Sequence, residues 1–312
     1  MGGVREATNE ELAAFARLLT DLAHFDEQFW ELHVGDRPAP GSPAAAEAAL
    51  LETGPGGSWG SVPFEIPYQI AGLLLRASIC DIQSLARLFG PPVIPYGFEP
   101  VRRSLLEYTA RAWWLLDPAL SPRERVTRAW TEQLDSAQET DKTTEAFGLK
   151  PEEVPRQVPA VIASAADLGL TELWNKPHDK LLGFGAKPRP QSTDLAGEFL
   201  LACGMDRGSG YYRRLCGVAH GSISSIIAGL VETGPADVAH AARMATAVDF
   251  VTVWITCWMA MNTYRVAGRC RSNAYGWDTS LLDSWHQTQT ERLHQIGRDR
   301  ATIASNGTVS FD

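Results

Sequence analysis

Hydrophobic positions along this chain recur at the three- and four-residue spacing of a helix, and no run alternates as a strand does. Leu12, Phe15, Leu18, Leu19 and Leu22 share one face and predict a first helix over Asn9 to His33. Residues 35–66 are rich in Gly, Pro, Ala and Ser and read as a loop-rich insertion holding one short helix, Pro43 to Leu51. A second helix runs from Pro67 to Phe89 and stops at Gly90-Pro91-Pro92. A third covers Glu99 to Leu116. Ser121-Pro122-Arg123-Glu124 then combines an N-cap, a proline at the first helical position and a capping-box glutamate, opening a fourth helix that reaches Phe147.

Residues 150–191 form a second, proline-rich insertion with a short helix at Val158 to Leu168. Long helices follow at Thr193 to Cys203, Ser209 to Glu232 and Pro235 to Val266. An amphipathic helix over Ser280 to Arg300 precedes a polar tail, 303–312, expected to fray. The expected architecture is all-α: a single helical domain over residues 1–312, built as a bundle of about eight helices with long Pro/Gly-rich loops.

Composition narrows the function classes. The chain has 312 residues, a net charge of −9 and a pI near 5.3, which disfavours broad, non-specific binding to nucleic acid but leaves room for a local basic groove. Five scattered cysteines without C-x-x-C spacing read as reduced thiols of a cytoplasmic protein. The first residues lack the apolar run of a signal peptide, and the apolar stretch Ala245 to Met261 is short for a membrane span and carries Asp249, so no membrane partner is expected.

Candidate chemistry sits on three helices. Arg103, Glu107 and Arg111 are spaced i, i+4, i+8 and form a stripe about 80° wide on a helix otherwise apolar and aromatic. Arg213 and His220 lie about 20° apart on the helix after Gly204, with Ser224 beside them and Gly217 and Gly221 flanking the histidine. Asp249 interrupts the next apolar helix. Charges on such surfaces need partners or a ligand. One reading is a buried ion-pair network that fixes helix order in a non-catalytic interaction protein. The other is a polar pocket in which arginines hold an anion, His220 works as acid or base, and Glu107 or Asp249 orients it. His286 and His294 read as surface residues. His24 with Asp21, Glu27 and Glu31 reads as a solvated helix face. No nucleotide-, metal- or nucleophile-elbow motif is present, and neither metal nor cofactor is expected.

The Arg-x5-6-His spacing from Arg213 or Arg214 to His220 resembles the signature of the HEPN superfamily of helical proteins, many of them metal-independent ribonucleases of toxin and defence systems. The order of an R-x3-E helix (Arg103, Glu107) followed by Tyr212-Arg213-x-Leu215-x4-His220-Gly221 resembles one bacterial branch of that group. The resemblance implies a homodimer with the two Arg…His motifs facing each other. It implies His220 acting on an RNA 2′-hydroxyl with Arg213 and Arg214 steadying the phosphate, and Glu107 and Tyr212 in the same site. The alternative is a small-molecule enzyme in which Arg103, Arg111 and Arg213 clamp a small anionic substrate and tryptophans such as Trp113, Trp114, Trp254 and Trp258 cover its apolar part.

Overall fold

The computed structural model describes residues 6–33, 38–53, 62–90, 97–150, 152–177, 179–220, 248–297, 301–303 and 309–311. Within them the predicted helical periodicity is realised as α1 (Asn9–His33), α2 (Pro43–Thr53), α3 (Val62–Leu88), α4 (Phe98–Leu115), α5 (Pro122–Ala146), α6 (Gln157–Asp167), α7 (Ser192–Ala202), α8 (Gly208–Ala219), α9 (Phe250–Tyr275) and α10 (Ser280–Gly297). The chain is mainly all-α, a helical bundle of ten helices among the described residues.

The capping box opens α5 as its sequence dictates. The Ser121 hydroxyl accepts from the Glu124 N–H (3.3 Å), and the Glu124 carboxylate accepts from the Ser121 N–H (2.9 Å). Apolar faces then determine the packing. Phe15, Leu18, Leu19 and Leu22 of α1 are fully buried, as are Leu75, Ile79, Ile82 and Leu85 of α3. α4 is the hub: it packs along α3 and also meets α9, α8 and α7, burying Leu105, Leu106, Ala110, Ala112 and Leu115.

Several expectations are corrected. α3 starts at Val62, running through Pro67 at the cost of one backbone hydrogen bond. Two short strand pairs exist where no strand was expected: β1 (Glu172–Trp174) with β2 (Leu181–Phe184), and β3 (Ala301–Ile303) with β4 (Val309–Phe311), both antiparallel. Strands of three or four residues are too short to impose a period on the sequence. The second pair lies at and within the tail expected to fray. His286 is 9% exposed, with Nε2 3.2 Å from Oδ1 of Asn262, because α10 turns that face onto α9. His294 stacks on Trp254 at 6.1 Å. The helical segments expected between Gly221 and Ala247 lie outside the described residues. No helix among those described is long and apolar enough to cross a membrane, and all five cysteines are free thiols.

Candidate functional site: the α4–α8 contact

Two consecutive tyrosines on α8 reach two different charged groups on α4. Tyr212 is buried and donates its hydroxyl to Oε1 of Glu107 (2.5 Å), the oxygen that also accepts from Nε of Arg103 (2.8 Å). Tyr211 bonds the guanidinium of Arg102, which is buried, ion-paired with Glu99 at 2.9 Å and stacked over the rings of Phe98 and Tyr211. Successive helical residues diverge by about 100°, so adjacent tyrosines straddle the α4 ridge.

On α8, Tyr212, Cys216 and His220 follow one another at i, i+4 and i+8, above the i, i+4 pair Arg103 and Glu107 of α4. His220 ends the helix: it is the C-cap, its N–H donates to the Cys216 carbonyl, and its side chain is exposed. Its Nε2 lies 3.3 Å from Nη1 of Arg103. A guanidinium can only donate, so a hydrogen bond in this contact uses Nε2 as the acceptor. Arg103 and Glu107 are about a quarter exposed, at 27% and 28%, so the cluster opens to solvent.

The electrostatics follow from these contacts. Burial works against the charge of Arg103, but the hydrogen bond and charge of Glu107 outweigh it and hold its pKa above the ordinary value. Burial also raises the Tyr212 hydroxyl pKa, assisted by Glu107 and Cys216, so Tyr212 remains a donor. Burial lowers the Arg102 pKa; Glu99 opposes that shift and the nearby Arg214 cation adds to it. Arg213 and Arg214 are exposed on α8. Cations therefore outnumber carboxylates locally, on a chain whose net charge is −9.

The structure brings together Arg103, Glu107, Tyr212 and His220, with Arg213 and Arg214 on the same helix as the histidine. Two candidates are corrected. Arg111 turns to Glu132 of α5, a carboxylate 1% exposed that also accepts from Arg189 (3.1 Å). It thereby lines a separate polar cleft of about 650 Å³ with Asp135, Lys142, Lys180 and Arg189. Asp249 does not interrupt a helix. It caps α9, accepting from the Val251 and Thr252 N–H groups and from the Thr252 hydroxyl. Ser224 lies outside the described residues.

The deeply buried charges are also not the ones expected. Arg102, Glu99, Arg125 with Glu47, Glu132, Asp26 and Arg271 are buried, whereas Arg103 and Glu107 are partly open. The i, i+3 spacing of Glu99 and Arg102 was the available sign for the first pair. Cys216 was signalled only by its four-residue spacing from Tyr212 and His220. No group of three His, Cys, Asp or Glu side chains among the described residues is arranged to hold a metal ion. In comparisons with family models, with curated proteins and with solved structures, no match to this chain emerges.

Proposed function

We propose that this chain is a HEPN-like protein that cleaves RNA without a metal ion at the open α4–α8 site, most simply as a homodimer that sets two such sites face to face. The observation that carries this reading is the contact between exposed His220 and Arg103, with Arg103 itself anchored by Glu107 and Tyr212. An imidazole in solvent beside a fixed guanidinium suits a large anionic polymer better than a small enclosed substrate. The clamp of Arg103, Arg111 and Arg213 that a small-molecule enzyme needs is divided, because Arg111 is engaged by Glu132.

In this mechanism Arg103, joined by Arg213 and Arg214, transfers its Nη1 donor from the imidazole to a phosphate oxygen when RNA binds. That frees Nε2 of His220 to take the proton of the 2′-hydroxyl. The 2′-oxygen attacks phosphorus, the bond to the 5′-oxygen breaks, and the leaving oxygen takes a proton from water. The products are a 2′,3′-cyclic phosphate and a 5′-hydroxyl. Glu107 and Tyr212 are positioning residues that fix Arg103.

The test is cleavage of total RNA by the purified full chain in the presence of EDTA. The expected result is degradation by the wild type and none by a folded His220→Ala variant. A fully active His220→Ala variant, or a wild type inert toward RNA, overturns the reading.

A further inference from the structure

α1, α3 and α9, none of which carries a residue of the α4–α8 site, enclose a cleft of about 760 Å³. This volume falls in the range that small-molecule sites occupy. We infer that this cleft is a binding site for a small organic monocarboxylate with an aromatic or branched apolar body.

The argument starts with Arg271 of α9, which lines the cleft and is 5% exposed. Its guanidinium lies over the Trp30 ring (5.2 Å to the centroid) and also within 5.7 Å of the Trp277 ring centroid. Among the described residues, its Nε and Nη2 have no hydrogen-bond acceptor. These two atoms form the edge of a guanidinium that receives a carboxylate in fork fashion. A buried cation with an unbonded edge is costly, and the group that relieves the cost is an anion.

The one buried carboxylate at the base does not meet that need. Asp26 accepts from the Tyr264 hydroxyl at 2.5 Å, while Nη2 of Arg271 and Nη1 of Arg76 stand 3.8 Å and 3.7 Å from its oxygens. Neither guanidinium is within hydrogen-bond distance of that carboxylate, so the Nε and Nη2 donors of Arg271 stay unused at the base of the cleft. Glu27 and Glu31 of α1 also line the cleft, so its lining carries three carboxylates against two guanidiniums, which limits the anion to a single charge held at the Arg271 edge.

The walls define the rest of the ligand. Trp30 and Leu73 are exposed (44% and 72%), and Tyr275 stands opposite on α9. Gly72 of α3 leaves the space open: a Cβ placed there meets nothing within 4 Å. An apolar body therefore lies against aromatic rings beside the arginine edge.

The test uses 3-phenylpropionate and its uncharged counterpart 3-phenylpropan-1-ol, titrated into the full chain by calorimetry. The expected result is saturable binding of the acid, about tenfold or more tighter than the alcohol. Gly72→Leu, whose Cβ meets no neighbouring atom within 4 Å and which narrows the cleft that Gly72 lines, abolishes it, and Arg271→Gln removes the preference for acid over alcohol. No saturable binding of the acid, equal affinity for the two compounds, or undiminished binding in Gly72→Leu overturns the inference. The proposal stands apart from RNA cleavage, which depends on other helices.

Discussion

Arg103 and His220 are 117 positions apart in the chain, and their side chains meet at 3.3 Å where α4 crosses α8. The contact is held from behind by Glu107, whose Oε1 accepts from both Arg103 and Tyr212. Replacing the guanidinium by a shorter, neutral amide isolates its part in the reaction. Arg103→Gln is expected to lower the single-turnover cleavage rate about a hundredfold, the scale of losing one oriented donor to the transition state. The histidine stays exposed and the fold intact, so circular dichroism should not change.

Asp249 belongs to the fold. Asp249→Ala removes the cap of α9 and is expected to cost about 1 kcal/mol in urea denaturation. The RNA cleavage rate of the folded variant should equal that of wild type, since the carboxylate is committed to the Val251 and Thr252 N–H groups.

The start of α8 is fixed by a close helix crossing. A Cβ at Gly208 would stand 2.6 Å from Cβ of Leu200 and 3.0 Å from the Gly197 carbonyl on α7. Gly208→Ala is expected to destabilise the protein by about 1–3 kcal/mol through overpacking. It should also slow cleavage, because α8 carries Tyr212 and His220. Thermal melts and cleavage rates measured on the same preparation check both.

His286 gives the fold a pH dependence of its own. Burial pushes its pKa down to about 4, with Arg265 adding to the shift and Asp283 opposing it. The unfolded chain titrates this imidazole near 6.5, so between these values the unfolded state binds more protons than the native state. Stability from this group is full above pH 6.5 and is lost as pH falls toward 4. The midpoint of urea unfolding should fall across that window in wild type, and His286→Gln should flatten the slope.

Much of this fold was legible because an apolar face repeats in sequence, as in α1, or because a cap is written locally, as in Ser121-Pro122-Arg123-Glu124. Arg103, Glu107, Tyr212 and His220 were identifiable for the same reason: each pair is set by spacing along one helix. The spacing rule failed for Arg111, since the carboxylate that takes it, Glu132, lies on the next helix and no angular position encodes that crossing. It failed for Asp249 because Asp followed three residues later by Thr252 was read as an interrupted helix rather than a helix start. The α1–α3–α9 cleft was invisible for a related reason. Arg271, Asp26 and Trp30 come from opposite ends of the chain, and only packing brings them together.

The most direct test of the central claim is the chemistry of the cut. Once a cleavage site is mapped, an oligonucleotide carrying a single 2′-deoxy substitution on the 5′ side of that bond is compared with its all-ribose parent, in EDTA. Transfer of the 2′-proton to His220 predicts that the parent yields a 2′,3′-cyclic phosphate and a 5′-hydroxyl, and that the substituted bond is not cut. Cleavage of the deoxy-substituted bond, or products ending in a 3′-hydroxyl and a 5′-phosphate, contradicts the account.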